Sequence, residues 1–293
     1  MPQTTASTAR LMDGSALARR MVEQAAERAA ALTRQTGQAP CLATVLVGED
    51  PASVTYVRMK RARCEKAGIR SRHIALPAVT TTAQLVDTIG ELSDDPGVHG
   101  ILLQHPAGPH IDERAAFEAI APAKDVDGVT FHSFAGMSFG LEGFASCTPG
   151  GILRLLDHYD VDLTGKHAVV VGRSAILGKP VGMLLLGRDA TVTYCHSRTT
   201  DLAAVTREAD VLIAAVGRPR FLHGDHIKPG AVVIDAGYNP GNVGDVDFDS
   251  AVTRASLLTP VPGGVGPMTI ATLLTQTVDA AARQLGASAS DRS

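Results

Sequence analysis

Apolar positions in the first half of the chain fall into short continuous runs that alternate with stretches of helical spacing. Three apolar runs are flanked by turn residues, as buried strands are: CLATVLVG, HIALP and VHGILLQ. Four stretches have the periodicity of helices: DGSALARRMVEQAAERAAALTRQTG, SVTYVRMKRARCEKAG, TTAQLVDTIGELS and DERAAFEAIA. The first of these begins after Asp13 as an N-cap and ends at Gly37. Alternating strands and helices predict a parallel sheet that is covered on both faces.

A second alternation begins near Thr148, where CTPGGILRLLDHYD predicts a helix with Pro149 in its first turn. Four strand-like runs follow at roughly helix-sized intervals: HAVVVG, ATVTYCHS, DVLIAAVG and AVVIDAG. A last helix is predicted from about Met268 to Leu285. The pattern therefore predicts an α/β protein of two units joined near residue 150. The polar, aperiodic first ten residues and the tail GASASDRS are expected to fray.

Length and composition fit this division, because 293 residues with 45% apolar content suffice for two ordinary domains with sizeable cores. The net charge of −3 argues against a nucleic-acid or membrane-surface partner, which would favour a basic face. No apolar run approaches the roughly 20 residues of a membrane span, and the N-terminus does not resemble a signal peptide. Four cysteines without a CxxC spacing are expected to be small hydrophobes in a reducing cytoplasm, not disulfides or zinc ligands.

A glycine turn follows the strand HAVVV, where GRSAILGKP leads directly into a helical segment. Strand, turn and helix in this order form the context of a dinucleotide site, because the helix N-terminus offers free N–H groups to a pyrophosphate. The spacing differs from GxGxxG, since Ser174 takes the middle place after Gly172 and Gly178 comes four residues later. A tight structural turn therefore stays open as an alternative.

The strand after this helix ends in CHSRT, without the acidic residue that binds the ribose of NAD. Arg173 and Ser197 could instead meet a 2′-phosphate, one as a charge and the other as a hydrogen-bond donor. A solvated arginine is the alternative for Arg173 alone. Both residues together favour NADP.

The first half carries a second group of polar residues. Tyr56 and Lys60 are separated by four positions and share one helix face. Gln104 ends the apolar run VHGILLQ, and ligands in parallel sheets gather at the carboxyl ends of strands. Asp127 lies in the turn KDVDG. The alternatives are an ordinary exposed Tyr–Lys pair and a turn-capping aspartate.

The segment TPVPGGVGPMT has three prolines and three glycines in eleven residues. Proline stiffens a backbone, and glycine lets other atoms approach it closely. The composition favours a rigid, bare wall for a ligand, with a tight strand-to-helix turn as the alternative.

Eight motifs, in order over roughly residues 11–286, resemble the bifunctional methylenetetrahydrofolate dehydrogenase/methenyltetrahydrofolate cyclohydrolase family. They are DPASVTYVRMK, VHGILLQ, KDVDG, VVVGRSAILGKPVG, ATVTYCHS, IKPGAVVIDAG, GDVDF and TPVPGGVGPMT. The resemblance implies an α/β folate-binding catalytic domain at 1–147, completed by a C-terminal helix at 268–286. It also implies a Rossmann-type NADP-binding domain with a parallel sheet at 148–267, an active-site cleft between the domains, and a flexible tail at 287–293. A homodimer formed through the second domain is implied as well.

The resemblance also implies roles for particular residues. Tyr56 would stack on the folate ring system, Lys60 would be the catalytic lysine, Gln104 would bond near it, and Asp127 would grip the pterin. Three loop residues would line the substrate site: Pro262, Gly263 and Gly264. The implied cofactor-binding residues are Gly172, Arg173, Ser174, Ser197, Tyr238, Gly266 and Thr269. No metal is implied.

The implied reaction oxidises 5,10-methylenetetrahydrofolate with NADP⁺ and hydrolyses the methenyl product to 10-formyltetrahydrofolate. It belongs to tetrahydrofolate interconversion in one-carbon metabolism, with purine, histidine and methionine biosynthesis as associated pathways. A charged lysine would oppose the growing cation, so Lys60 is expected to have a pKa lowered by burial, with neutral Gln104 orienting it. Small-molecule tetrahydrofolates are the expected partners, without nucleic acid or membrane, in the cytoplasm.

Several positions depart from the family pattern and bear on cyclohydrolase rate and folate fit. His105 follows the glutamine where an apolar residue is usual, Ser133 and Ala135 replace an expected asparagine and glycine, and Tyr238 is bulkier than usual. Two other functions stay open: another two-domain NADP dehydrogenase, and a folate-binding protein with lost or reduced catalysis. The histidine clusters HPAGPH and HGDH fall in turns and are expected to be solvated, with metal binding as the alternative.

Overall fold

A computed structural model describes residues 8–49 and 51–287, without the side chains of residues 51–57 and 59. The strands are β1 (Arg10–Leu11), β2 (Cys41–Val47), β3 (Arg70–Leu76), β4 (Gly100–Leu103), β5 (His167–Val171), β6 (Thr191–Cys195), β7 (Val211–Ala214), β8 (Val232–Asp235) and β9 (Leu257–Leu258). The α-helices are α1 (Gly14–Thr36), α2 (Pro51–Lys66), α3 (Thr82–Asp94), α4 (Glu113–Glu118), α5 (Phe131–Phe139), α6 (Cys147–His158), α7 (Gly178–Leu186), α8 (Leu202–Thr206), α9 (Phe248–Ala251) and α10 (Val265–Gln284).

The chain divides into two compact units, each with its own parallel sheet. The six-stranded unit comprises the described residues up to Ala18 together with Thr148–Thr269. The three-stranded unit comprises Arg19–Cys147 and the described chain from Ile270 onward. The predicted α/β fold with two parallel sheets is confirmed. Within the described ranges, no helix is long and apolar enough to cross a membrane.

The six-stranded sheet has the order β1-β9-β8-β7-β5-β6, with every neighbouring pair parallel. Consecutive residues of its central strands point to opposite faces and are buried on both: Val169 and Val171 pack in one core, and Val170 packs in the other. Strand order reverses between β5 and β7. In open parallel sheets ligands bind beyond the carboxyl ends of strands at such a switch point.

The N-terminal segment adds an outer strand that the sequence pattern did not predict. Arg10 and Leu11 pair with Leu257 and Leu258, and the Ala9 N–H donates to the Val252 carbonyl over 2.8 Å. The prediction of fraying is therefore wrong at Ala9 and Arg10. The rest of that prediction falls partly on described residues, where the Ala287 N–H donates to the Ala282 carbonyl over 3.1 Å, and partly on residues 1–7 and 288–293, which lie outside the described residues.

The three-stranded sheet has the order β3-β2-β4 and is also parallel. All seven residues of β2 are buried because this strand is central and covered on both faces. Helix α10 contributes apolar residues to the same core as α1, among them Leu273 and Leu274 packed with Ala25 and Ala29. This packing places the C-terminal helix on the three-stranded unit. The four cysteines are all buried, as expected of small hydrophobes.

Helix α10 begins at Val265, three residues before the predicted start at Met268. Gly266 and Pro267 thus lie in its first turn. Backbone N–H groups in a first turn have no intrahelical partner, so a proline there removes no helical hydrogen bond. The predicted start near Met268 is therefore three residues too late.

Candidate functional site

Lys60 lies on α2 and is buried, with 6% of its surface exposed. Its Nζ donates to Oε1 of Gln104 over 3.1 Å. Gln104 follows β4 directly, where its backbone N–H donates to the Val45 carbonyl and its Nε2 donates to the His105 carbonyl, each over 2.9 Å. Because the amide nitrogen is committed to a carbonyl, the amide oxygen must face the lysine. The neutral Gln104 amide thus contacts the Lys60 amine, and an orienting role for Gln104 stays a prediction.

Asp127 belongs to the same cluster. Burial raises the pKa of the Asp127 carboxyl, against the charges of Lys60 and His105, which lower it. Burial also lowers the pKa of the Lys60 amine, against the Asp127 carboxylate, which raises it. Burial thus favours the neutral form of both groups, and a neutral Lys60 amine can accept a proton.

The turn that carries Asp127 is fixed by its neighbours. Gly128 has φ +66°, and a Cβ there would lie 2.4 Å from the Ser146 nitrogen. The Ser146 hydroxyl donates to the Gly128 carbonyl over 2.6 Å, and Gln276 Nε2 donates to the Val126 carbonyl over 2.7 Å. Asp127 is therefore held in a rigid backbone.

Asp125 caps the turn in this segment. The buried Asp125 carboxylate accepts the backbone N–H groups of Val129 and Thr130 over 3.1 and 3.0 Å. It also accepts the hydroxyl of Ser133 over 2.5 Å, so this departure from the family pattern has a structural use. Asp125 therefore caps this turn, and the role of Asp127 in the site stays a prediction.

Two further positions complete the description of this cluster. Tyr56 lies on α2 one turn before Lys60, but its side chain is outside the described residues, so stacking on folate stays a prediction. Cys147 was not singled out for the site from the sequence. Its backbone N–H donates to the Asp127 carbonyl over 3.2 Å, and its thiol donates to the Val126 carbonyl over 3.2 Å. Nothing in the local pattern signals a contact between residues twenty positions apart.

The glycine turn of the six-stranded unit is built for close backbone approach. Gly172 has φ +136°, and a Cβ there would lie 2.2 Å from the Ala215 oxygen. A Cβ at Gly178 would lie 2.5 Å from the Gly172 oxygen, which lets α7 begin directly against the turn. A Cβ at Gly182 would lie 2.1 Å from the Tyr194 hydroxyl, so this glycine lets α7 pack on β6. In dinucleotide sites, glycines allow a tight turn, close approach of the backbone to the pyrophosphate and close helix–strand packing. Gly172 and Gly182 match the first and the third of these roles.

The polar residues predicted around this turn lie at one edge of the sheet. Arg173 and Ser174 follow β5, Ser197 follows β6, and all three are exposed. The two strands are neighbours, and the Gly172 N–H donates to the Cys195 carbonyl over 2.9 Å. Arg198 is also exposed and was missed, although it stands beside Ser197 in CHSRT.

Other predicted cofactor residues follow the neighbouring strands or begin α10. Tyr238 follows β8, is 72% exposed, and donates its hydroxyl to Asn242 Oδ1 over 2.5 Å. Thr269 lies on α10 and shares a 3.0 Å hydrogen bond with the Thr148 hydroxyl. Tyr238 therefore offers an open aromatic surface, while Thr269 is tied to another helix.

The three glycines of TPVPGGVGPMT differ in whether the fold itself excludes a side chain at their positions. Gly263 has φ +107°, and a Cβ at Gly264 would lie 2.6 Å from the Pro260 oxygen, so the fold itself requires both. A Cβ at Gly266 would meet nothing within 4 Å. A tight turn thus explains two of the glycines, and only Gly266 has open space beside it. Pro262 is exposed at the start of this loop.

Among the described residues, no group of three or more metal-binding side chains is found.

A dinucleotide turn in the six-stranded unit, and buried Lys60 and Gln104 with half-buried Asp127 in the three-stranded unit, define a two-domain α/β dehydrogenase. The model of the tetrahydrofolate dehydrogenase/cyclohydrolase NAD(P)-binding domain matches residues 146–285, and the model of the catalytic domain matches residues 12–127. The chain belongs to the tetrahydrofolate dehydrogenase/cyclohydrolase family.

Individual relatives agree with this assignment. "Bifunctional protein FolD 1" of Streptomyces avermitilis is 80% identical over 279 residues, covering 95% of this chain and 97% of that protein. The bifunctional FolD methylenetetrahydrofolate dehydrogenase/cyclohydrolase structure from Campylobacter jejuni is 44% identical with a TM-score of 0.92, covering 94% of this chain and 99% of that chain. The corresponding Trypanosoma brucei enzyme, solved with NADP cofactor and inhibitor, is 37% identical with a TM-score of 0.90, covering 97% and 99%.

These matches confirm the predicted family, enzyme class and NADP cofactor. Both domain models match one chain, so the tetrahydrofolate enzyme is favoured over another two-domain dehydrogenase.

Proposed function

We propose that the chain oxidises 5,10-methylenetetrahydrofolate with NADP⁺ and hydrolyses the methenyl product to 10-formyltetrahydrofolate, with Lys60 as the catalytic residue of both steps. The observation that carries this proposal is the buried Lys60 amine, 3.1 Å from the Gln104 amide oxygen, in the same cluster as Asp127. A buried amine with a lowered pKa and a neutral orienting partner is suited to proton transfer near neutral pH.

The six-stranded unit fits NADP on the geometry of its glycine turn. Any side chain at Gly172 or Gly178 would collide with nearby backbone atoms, so both positions stay open for close approach of a ligand. Helix α7 begins directly after this turn. When bound there, NADP⁺ would supply the hydride acceptor. The chain's own residues hold it: the proposed binding set is Gly172, Arg173, Ser174, Ser197, Tyr238, Gly266 and Thr269. The exposed Arg173 and Ser197 would bind the 2′-phosphate, with no carboxylate in CHSRT to repel it.

The lowered pKa of Lys60 serves the oxidation. Loss of hydride leaves a positive charge on the folate, and a protonated amine beside that carbon would oppose it. Since burial disfavours the charged amine, Lys60 can stand beside the reacting carbon without that repulsion. Gln104 fixes the direction of the amine without adding charge.

The same amine serves the hydrolysis. Water that attacks the methenyl carbon must lose a proton, and the Lys60 Nζ is the base proposed to accept it. Asp127 can then share the proton, because burial raises the pKa of its carboxyl. Asp127 is also proposed to grip the pterin, Tyr56 to stack on it, and Pro262, Gly263 and Gly264 to line the substrate site.

Replacing Lys60 by methionine tests this proposal. Lys60→Met keeps the apolar stem and removes the amine, and the matched control Lys66→Met changes an exposed lysine on the same helix. We expect hydrolysis of methenyltetrahydrofolate to fall about 10²–10⁴-fold, the usual value of general acid–base help. Oxidation depends more on alignment and is expected to fall less, so methenyl product accumulates.

If folded Lys60→Met forms 10-formyltetrahydrofolate at the wild-type rate, Lys60 is not the catalytic residue. Lys66→Met should retain both activities.

The roles of the two units and the oligomeric state are also proposals. We propose that catalysis and folate binding belong to the three-stranded unit, which holds most of the predicted 1–147 domain and the last helix, and that NADP binding belongs to the six-stranded unit, which holds the predicted 148–267 domain. A homodimer through the six-stranded unit is proposed, since β6 has no strand partner on its outer side among the described residues. Four buried thiols agree with a cytoplasmic location and with tetrahydrofolate interconversion there.

A further inference from the structure

Asp245 is fully buried in the six-stranded unit and organises a loop that it does not belong to. Its Oδ2 accepts the backbone N–H groups of Val216 and Gly217 over 2.6 and 2.8 Å. Its Oδ1 accepts the N–H of Arg218 over 2.9 Å and the side-chain amide of Asn239 over 3.0 Å. Three consecutive backbone donors are thus satisfied by one distant carboxylate, which fixes the loop without regular secondary structure.

This loop stands directly beside the dinucleotide turn. It follows β7, which neighbours β5 at the switch point of the sheet. The Ala215 N–H donates to the Val171 carbonyl over 2.8 Å, and the Ala215 oxygen is the atom that a Cβ at Gly172 would strike. Gly217 and Arg218 are exposed. The loop Val216–Arg218 therefore borders the site from the β7 side.

A second buried carboxylate holds Asp245 in place. Asp235 Oδ1 accepts the backbone N–H of Asp245 over 2.9 Å, and its Oδ2 accepts that of Val246 over 2.9 Å. The Asp235 backbone N–H donates to the Thr259 hydroxyl over 2.7 Å. The loops after β7, β8 and β9 are thereby joined behind the site.

The orientation of the dinucleotide follows from the residues already placed. Arg173 and Ser197 lie at the ends of β5 and β6, so the proposed 2′-phosphate and the adenosine half lie on that side. A dinucleotide crosses the switch point, so its nicotinamide half reaches the β7 side. The loop fixed by Asp245 is on that side.

We propose that Asp245 is a positioning residue that fixes the loop Val216–Arg218 as the wall for the nicotinamide half of NADP. The proposal rests on the proposed function, because it takes the six-stranded unit as the NADP site. Asp245 itself does not touch the ligand; it acts through the three backbone N–H groups that it holds.

The test is direct binding of NADP⁺ to the full chain, measured by calorimetry without folate. Asp245→Asn preserves size but turns an amide toward backbone N–H groups, and we expect Kd to rise at least about tenfold, as for loss of one charged hydrogen bond. Asp249→Asn, an exposed aspartate four residues later, is the matched control and should bind as wild type. Hydrolysis of methenyltetrahydrofolate, assayed without NADP⁺, should persist in Asp245→Asn.

A second variant keeps the proposal testable if Asp245→Asn does not fold. Gly217 has φ +66° with nothing within 4 Å of a Cβ, so Gly217→Ala disfavours the loop conformation without a clash. It should also weaken NADP⁺ binding. Wild-type affinity in either folded variant overturns the inference, even if its thermal stability falls. Failure of the wild-type chain to bind NADP⁺ overturns the proposed function instead.

Discussion

At the scale of single residues, the site depends on a lysine that is easier to deprotonate than usual. Gln104 is the natural place to alter this property, because its amide oxygen touches the amine over 3.1 Å. Gln104→Glu substitutes a carboxylate of nearly the same shape. An adjacent negative charge favours the protonated amine, so the pKa of Lys60 rises, against the lowering by burial.

We expect the acid limb of the kcat/KM profile of Gln104→Glu to move to higher pH by about one unit or more, because a nearby opposite charge typically shifts a pKa by 1–3. Activity at neutral pH should fall and recover partly in alkaline buffer. A profile with an unchanged acid limb would show that the charge state of Lys60 does not limit the reaction.

Arg173 and Ser197 decide the choice between cofactors. Loss of charged hydrogen bonds of about 1.5–3 kcal/mol corresponds to roughly 10–100-fold, so the double variant Arg173→Ala, Ser197→Ala should raise the KM for NADP⁺ by that factor. KM for NAD⁺ should stay nearly unchanged. Arg188→Ala, at an exposed arginine paired with Asp157, is the control for loss of surface charge. Equal effects on both cofactors would contradict the assignment.

Sequence patterns could predict Lys60, Gln104 and Arg173 because each has a local signal. A four-residue spacing places Tyr56 and Lys60 on one helix face, and a strand end places Gln104 at the ligand edge. Asp245 has no such signal, since the backbone groups it holds lie 27 to 29 positions earlier. Folding alone brings them together.

At the scale of elements, the glycine-rich loop shows two kinds of constraint. Gly264→Ala would place a methyl group 2.6 Å from the Pro260 oxygen and 2.8 Å from the Thr259 Cβ. We expect this variant to lose about 1–3 kcal/mol of stability, as for other overpacked sites. Gly266→Val adds its side chain in open space, so its thermal midpoint should stay close to that of wild type while dehydrogenase activity is lost.

Thermal unfolding and turnover of the two purified variants separate these constraints. Normal dehydrogenase turnover in Gly266→Val would mean that the loop serves only as a turn.

The element boundaries that the sequence did not reveal have physical reasons. Strands β1 and β9 have two residues each, too few to show a period-two pattern, and they exist because their backbones pair. Helix α10 starts before its proline because a first turn does not need that N–H. The long buried strands and amphipathic helices, by contrast, were predictable from periodicity.

At the scale of the whole molecule, stability should depend on pH through Asp235. Burial raises its pKa to about 6, with Asp245 adding to the rise and three backbone N–H groups opposing it. The folded state then holds a proton that the unfolded state has released, so stability falls as pH rises from about 4 to 6 and is level above. The change in the Asp235 pKa from the ordinary 3.8 to about 6 corresponds to a loss of about 3 kcal/mol in the free energy of unfolding over this pH range.

Asp235→Asn removes this titration. As pH increases from 4 to 6, we expect the free energy of unfolding of wild type to fall relative to that of Asp235→Asn by about 1.4 kcal/mol per pH unit. Unfolding experiments at several pH values measure this change. A difference that is constant over this range would show that Asp235 titrates normally.

The division into two α/β units was predictable from the alternation that restarts near Thr148. The exchange of terminal segments was not predictable from periodicity: the described residues before Ala18 belong to the six-stranded unit, and the C-terminal helix belongs to the three-stranded unit beyond Thr269. The hydrophobic pattern shows which residues are apolar, but it does not show in which of the two cores they are buried.

The most direct test of the central claim is turnover by the unaltered chain. Methylenetetrahydrofolate is supplied with NADP⁺ or NAD⁺ in parallel, and reduced cofactor, methenyl product and 10-formyltetrahydrofolate are followed together. A bifunctional enzyme should reduce NADP⁺ in preference to NAD⁺ and form 10-formyltetrahydrofolate faster than the uncatalysed hydrolysis. No reduction of NADP⁺, or hydrolysis only at the uncatalysed rate, would contradict it.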